Sequence, residues 1–348
     1  MQENYLITGG AGFIGINAAD HYLRLGCRVT LLDNFSRRGT EANVEWLRQQ
    51  QHGGNLRIVR ADIRHDHEAL ARAVEEADVC LHLAAQVAVT TSVTDPREDF
   101  AINALGTFNV LEAVRRSSSR PIVVYSSTNK VYGKMADLRV EELADRYAYS
   151  DLPNGVSEDR PLDFYSPYGC SKGAGDQYVI DYARIYGLRT VVFRQSCIYG
   201  PHQFGIEDQG WVAWFAIRAL LDLGVTIYGD GKQVRDVLYV DDLNAAYDAA
   251  VAHIDTISGR AYNIGGGPVN TLSLLELIAL LESAFGRHLA HEFGDWRPGD
   301  QRVFVSDIAK AKAELGWEPR VDVTEGVSRM WAWLAENPHL FAQVVPGL

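Results

Sequence analysis

The sequence predicts an α/β fold: a doubly wound parallel sheet of the Rossmann type with a smaller C-terminal substrate-binding lobe. Three observations carry that expectation. Short, continuous apolar runs alternate with helix-period segments over the first 200 residues, the pattern of parallel strands covered on both faces. A glycine-rich turn, TGGAGFIG (residues 8–15), joins the first strand-like run to the first helical one. After Gly200 the alternation breaks, and prolines, glycines and tryptophans become frequent. A chain of 348 residues also exceeds what one hydrophobic core usually serves.

Taken in order, the expected strands are 4–8, 28–33, 56–62, 79–84, 121–127 and 189–196, all rich in Val, Ile and Leu. Helix-period patterns lie between them at 13–25, 40–51, 66–76, 97–117 and 168–186. Gly26 stands where a left-handed C-terminal residue belongs, and Asp95-Pro96 reads as an N-cap followed by proline at the first helical position. Strand–helix alternation of this kind builds a doubly wound sheet. The long connection from Gly133 to Pro167 carries little regular pattern, and loops of that length are usually functional. Beyond it, helices are expected at 209–223, 271–286, 306–315 and 323–336, with a strand at 225–229. The expected division is a dinucleotide-binding domain of residues 1–199, to which 236–269 returns, and a second lobe of 200–235 and 270–348.

Composition narrows the function. With 33 basic against 45 acidic side chains the net charge is −12, which argues against DNA or RNA as a partner because such binding needs clustered cations. The most apolar stretch, 271–286, carries Glu276 and Glu282 and falls short of the roughly 20 apolar residues a bilayer demands. The N-terminus lacks the basic flank and apolar core of a signal peptide. Cys27, Cys80, Cys170 and Cys197 form no Cys-x-x-Cys pair, so neither a metal site nor a disulfide framework is expected. The expectation is a cytoplasmic enzyme with no membrane partner.

In the glycine turn, Gly9, Gly12 and Gly15 have separate physical tasks: a tight turn, backbone approach to a pyrophosphate, and close helix-on-strand packing. Free N–H groups at the helix start then face phosphate. Asp33 follows at the end of the second strand, where a carboxylate binds both hydroxyls of an adenosine ribose and repels a 2′-phosphate. That favours NAD. Arg37 and Arg38 keep NADP open, since an arginine nearby accepts a 2′-phosphate.

Tyr168 and Lys172 are four residues apart, so a helix stacks them on one face. A phenol with a pKa near 10 is a poor base at neutral pH. An ammonium beside it and a positive nicotinamide ring are expected to bring the phenolate within reach. Thr128, at the end of the fifth strand, presents a hydroxyl at the carboxyl edge of the sheet, where ligands of such sheets bind.

With TGGAGFIG, Asp33, HLAAQ (82–86), NALGTFNVLEA (103–113), SSTNKVYG (126–133), Tyr168-x-x-x-Lys172 and YGP (199–201), the chain resembles the extended short-chain dehydrogenase/reductases that modify nucleotide sugars. The resemblance runs from Tyr5 to about Trp333, and SSTNKVYG, DFYSPYGCSKGAGDQY, DQGWVAWF, GKQVRDVL and DQRVFVSD look most like the branch of CDP-sugar 2-epimerases. It implies that Gly9, Gly12, Phe13, Ile14 and Gly15 hold the pyrophosphate of NAD and that Asp33, Asn34 and Ser36 hold its adenosine ribose. Asp62 and Ile63 would flank the adenine, and Leu83, Ala84, Ala85 and Gln86 would pass beside the cofactor. Thr128, Tyr168 and Lys172 match the catalytic hydroxyl, base and lysine, the last two also touching NAD. Asn129, Gln195, Gln209, Arg235 and Arg297 would face a nucleotide-diphosphate sugar.

The implied reaction oxidises carbon 2 of the sugar to a transient 2-ketose and reduces it on the other face. NAD is regenerated each turnover and so stays tightly bound. In related 4,6-dehydratases the threonine is followed by Asp-Glu; Asn129 and Lys130 stand there instead, so elimination of water lacks its acid and base. Many relatives carry an asparagine where Cys197 follows Arg194 by three residues. Inversion at carbon 4 of a UDP-hexose or UDP-uronate, net reduction with NADP, and a non-catalytic scaffold are the other readings. Relatives commonly dimerise through the helices matching 97–117 and 168–186, so a homodimer or homotetramer is expected; Ala101, Ala104, Gly106 and Ala113 are small enough for close helix contact.

Overall fold

The computed structural model describes residues 2–50, 52–286, 288–297 and 300–341. Expected positions at Gln51, Pro298-Gly299 and 342–348 lie outside them. Its centre is a seven-stranded sheet: β1 (Asn4–Thr8), β2 (Arg28–Asp33), β3 (Leu56–Arg60), β4 (Val79–His82), β5 (Ile122–Thr128), β6 (Thr190–Gln195) and β7 (Arg260–Ile264). All neighbours run parallel in the order β7-β6-β5-β4-β1-β2-β3. The order reverses between β1 and β4, which opens a crevice at the carboxyl ends of those two strands.

Helices cover both faces, as continuous apolar strands require. Phe13–Arg24, Thr40–Gln49 and Val240–Ala252 pack Ile16, Leu47 and Tyr247 onto one face with Ile7, Leu31 and Phe193. His67–Glu75, Gly106–Arg116 and Pro167–Tyr186 supply Leu70, Leu111 and Val179 to the other, against Leu6, Leu32 and Val123. Gly26 ends the first helix at φ +83°, and the Asp95 carboxylate caps Glu98 N–H at 3.0 Å.

The helix expected at 97–117 is three pieces: Pro96–Phe100, a π-helical turn at Ala101–Leu105, and Gly106–Arg116. The turn lets Gly106 sit against Ile63, whose Cδ1 would lie 2.6 Å from a Cβ placed there. Gly106 therefore faces inward and is unavailable to a partner helix. Residues 271–286 begin with a short strand, Thr271–Ser273, before the helix Leu274–Phe285, because Ser273 and Glu276 form a reciprocal capping box that sets the helix start.

The strand Val234–Tyr239 joins the two parts of the molecule. Leu238 enters the core beneath the large sheet, whereas Val237 and Tyr239 enter a second core with Phe215, Leu277, Met330 and Leu334. It pairs with Cys197–Tyr199, Thr271–Ser273 and Val303–Phe304. The long connection after Gly133 contains a small hairpin, Val140–Glu142 with Tyr147–Tyr149, and Tyr147 packs on Val234 and Val303. Among the described residues no helix is long and apolar enough to cross a membrane.

Candidate active site

A cavity of about 500 Å³ lies over the carboxyl ends of the strands, between the glycine turn and the helix Trp211–Leu220. It is lined by Gly9, Gly12, Phe13, Ile14, Gly15, Asp33, Asn34, Ser36, Asp62, Ile63, Leu83, Ala84 and Ala85 on one side. On the other lie Thr128, Asn129, Tyr168, Lys172, Gln195, Gln209, Arg235 and Arg297. Gly9 and Arg297, near opposite ends of the sequence, thus share one wall-to-wall space. Gln86 is the exception to the expected set: its side chain folds back onto Ala88, bonding both the carbonyl (2.7 Å) and the N–H (2.6 Å).

The glycine turn fits a dinucleotide. A Cβ on Gly9 would lie 2.7 Å from the Ala84 nitrogen, and one on Gly15 2.6 Å from the Gly9 carbonyl oxygen, so both are packing positions. Gly12 meets nothing closer than 3.2 Å, leaving its face open to the cavity and free for close backbone approach. Asp33 accepts from Ala11 N–H (3.0 Å) and Phe35 N–H (2.8 Å). Burial raises its carboxyl above the ordinary range, and those two donors oppose the shift. Asp62 is held well below the ordinary range, chiefly by hydrogen bonds from Arg64.

At the other end, Ser166 caps the helix Pro167–Tyr186, with proline at its first position, and Tyr168 and Lys172 follow on one face. Both are buried. The Tyr168 phenol is pushed up to about 12, by burial first, with Thr128 and Arg37 lowering it and Asp99 raising it. The expected cation is therefore not the one acting in this arrangement. The Lys172 ammonium donates to the Ser126 carbonyl and lies 4.3 Å over the Tyr125 ring. Desolvation brings Lys172 down to about 7, against the pull of Asp176 and Asp99.

The substrate-facing candidates are already engaged. Arg235 pairs with Asp300 at 2.6 Å; Arg297 pairs with Asp208 at 3.1 Å and lies 4.0 Å over the Tyr228 ring. Each guanidinium has five donors, so neither pairing exhausts its capacity for a diphosphate. Gln195 spends both ends on the protein, accepting from Ser126 and donating to Tyr247. Gln209 accepts from Arg37 at 2.6 Å, a bond that ties the loop after β2 to the opposite wall.

Two cations matter more than the sequence indicated. Arg37 lines the cavity and acts on Tyr168, a reach across the crevice that local sequence does not reveal. Lys130 also lines it, donating to Gln301 at 3.2 Å, and desolvation lowers it to about 8. Its place two residues after Thr128 was the available signal.

A dinucleotide cradle facing a Tyr–Lys helix across one cavity defines a Rossmann enzyme of the short-chain dehydrogenase type. The family can be stated. Residues 6–330 match the family described as GDP-mannose 4,6 dehydratase, and the chain belongs to it, within the extended short-chain dehydrogenase/reductases. Over 335 residues it is 48% identical to the CDP-paratose 2-epimerase of Salmonella typhi, covering 94% of this chain and 98% of that one. Among solved structures, the UDP-glucose 4-epimerase of Thermotoga maritima with UDP-glucose superimposes with TM-score 0.82 at 31% identity, covering 96% of this chain and 99% of the other. The dTDP-glucose 4,6-dehydratase DesIV of Streptomyces venezuelae, with NAD bound, gives 0.83 at 29%, covering 98% and 100%. The protein is an enzyme of the nucleotide-sugar epimerase and dehydratase group.

Proposed function

We propose that the protein is an NAD-dependent epimerase that inverts carbon 2 of a CDP-linked deoxysugar of the paratose/tyvelose type. The observation that carries the reading is the meeting of Thr128, Tyr168 and Lys172 in a cavity where Asn129 and Lys130 replace the carboxylates that elimination would need. Similarity to a CDP-paratose 2-epimerase along nearly its whole length supports the choice of sugar. The buried Asp33 at the end of β2 supports NAD over NADP. In this reading the large-sheet domain, with 236–269 returning to it, carries the dinucleotide, and the lobe of residues 200–235 and 270–348 closes over the nucleotide sugar.

When bound, NAD supplies the reversible oxidation of carbon 2, through a 2-ketose of the sugar. The protein's own groups do the rest. Tyr168 Oη takes the proton of the carbon-2 hydroxyl and returns it after the sugar has turned over. Thr128 Oγ1 shares the hydrogen bond to the reacting oxygen. Lys172 holds its ammonium on the Ser126 carbonyl, on the same helix face as the phenol, and Arg37 supplies the positive charge that favours the phenolate, while Arg235 and Arg297 hold the diphosphate as the sugar rotates about it. The buried walls keep water from the ketose.

The test is incubation with CDP-paratose, UDP-glucose and UDP-glucuronate, with the inverted carbon mapped by NMR. Inversion at carbon 2 of the CDP-sugar without consumption of added coenzyme is expected. Inversion at carbon 4 of a UDP-sugar, or stoichiometric use of NADPH, would sink the assignment.

We also propose that two copies associate through the helices Pro96–Phe100, Gly106–Arg116 and Pro167–Tyr186. These leave Phe100, Phe108, Tyr178, Ile185 and Tyr186 exposed, an apolar group that isolated monomers seldom show. Sedimentation is expected to give a dimer or tetramer for the native chain and a monomer for F108E/Y178E. A native monomer at micromolar concentration would remove the proposal.

A further inference from the structure

Behind the Tyr–Lys pair lies a carboxylate that the mechanism above does not use. Asp99 is 1% exposed and has no ion-pair partner at salt-bridge distance among the described residues. Buried carboxylates are expensive unless paired, so an unpaired one beside a reactive group asks for a reason. Its oxygens are held by side chains alone: Oδ2 accepts from Ser171 Oγ at 2.5 Å and Oδ1 from Asn103 Nδ2 at 3.1 Å.

Both donors lead to the active site. Ser171 sits between Tyr168 and Lys172 on the same helix. Asn103, set in the π-helical turn, also bonds the backbone N–H of Gln86 at 2.9 Å and its carbonyl at 3.0 Å, fixing the Leu83–Gln86 turn along the cavity. π-Helical turns recur at functional sites because they reposition side chains within an otherwise regular helix. Here the turn places Asn103 between Asp99 and the cavity-side turn.

The charged surroundings of Asp99 are few. From the helix Pro167–Tyr186 it feels Lys172 and Tyr168, with Asp176 one turn further on and paired to Arg194. From β5 it feels Tyr125, and beyond that ring, 5.4 Å from it, lies the buried His82 of β4, lowered to about 3 by burial and Lys172 and therefore neutral. On its own segment Asp95 caps the helix and Glu98 pairs with Arg64, while Arg97 follows Pro96. Residues 83–94, packed alongside, carry no ionisable side chain.

We propose that Asp99 is a positioning residue whose negative charge, anchored through Ser171 and Asn103, holds the proton on the Tyr168–Lys172 pair and so sets the pH range in which the pair works. Its action is electrostatic: the charge favours protonated Lys172 and disfavours ionised Tyr168, so it raises the pH at which the pair loses its first and its second proton alike. An epimerase has to return the proton it removes, and a pair that holds its proton more firmly suits that cycle. The inference rests on Tyr168 being the base.

The test uses the NAD-loaded protein and D99N, which keeps shape and removes charge, with S171A as the variant that loosens the anchor and keeps the charge. Two readouts are taken: the pH profile of carbon-2 inversion of CDP-paratose, and the pH dependence of tyrosinate absorbance that Y168F abolishes. D99N is expected to displace both limbs of the profile, and the tyrosinate midpoint, to lower pH by about one unit, with NAD content unchanged. S171A is expected to move them less. A D99N profile lowered equally at every pH, with the tyrosinate midpoint in place, overturns the proposal and leaves Asp99 a packing residue. Should D99N not fold, D99S carries the same expectation. If no carbon-2 inversion is seen, the function assignment fails, while the tyrosinate midpoint still decides the role of Asp99.

Discussion

Replacing Tyr168 by phenylalanine is expected to lower kcat for carbon-2 inversion by about 10³-fold, within the range general acid–base groups contribute. The substitution removes one oxygen from a buried position whose ring packing is untouched. In the proposed mechanism Thr128 remains to hold the reacting oxygen, but an aliphatic hydroxyl is too weak a base to take its proton at neutral pH. The residues proposed to cradle the cofactor, Gly9, Gly12, Gly15 and Asp33, line the other side of the cavity, and the phenylalanine ring keeps the Tyr168 surface there, so NAD content measured by mass spectrometry is expected to stay near the native level. KM is expected to change little, because Arg235 and Arg297, proposed above to hold the diphosphate, are untouched. A Y168F protein that still inverts carbon 2 at near native rate would show that the proton passes elsewhere, with Lys130 the next candidate on the same wall.

Much of this was legible in the sequence, for reasons that differ from element to element. The strands of the large sheet were readable because burial on both faces leaves nearly unbroken apolar runs, as in Ile122–Tyr125. The glycine turn and Asp33 were readable because the tasks they serve admit few residue types at fixed spacing. Helix periodicity put Tyr168 and Lys172 on one face, but the pair stood out only beside Thr128 at the end of the fifth strand. What stayed hidden depends on long-range geometry. The π-helical turn at Ala101–Leu105 follows from how Gly106 seats on Ile63, and no local pattern announces that contact. The direction of the Lys172 ammonium, toward Ser126 and Tyr125 rather than the phenol, depends on β5 lying under the helix. Arg37, Lys130 and Asp99 acquire their roles from where the fold places them, across the crevice, on the cavity wall and behind the Tyr–Lys helix, which a single sequence does not reveal for an ordinary-looking charge.

Loss of the Asp176–Arg194 bridge is expected to have the largest effect on stability. The two side chains are 0% and 6% exposed, and Arg194 donates to both carboxylate oxygens at 3.0 Å from Nε and Nη2. The bridge extends in two directions. Ser127 Oγ donates to Asp176 at 2.8 Å, and Arg194 Nη1 donates to the Tyr132 hydroxyl, which in turn donates to Asn263 on β7. One pair therefore links β5, β6, β7 and the helix that carries Tyr168. Removing a single partner leaves the other charge buried and uncompensated, so D176A is expected to lose about 3–5 kcal/mol, read from the urea midpoint at fixed protein concentration. Apolar replacement of both members removes the orphaned charge, and D176L/R194M is expected to recover most of that stability. Activity should not follow. Asp176 is the largest of the influences that keep Lys172 protonated against burial. Without it, the Lys172 ammonium is lost at lower pH even where the fold is restored. The alkaline limb of the pH profile of the double variant is therefore expected to fall earlier than in the native enzyme. A double variant with native stability and a native alkaline limb would confine the bridge to the fold and leave Asp99 as the carboxylate that tunes the pair.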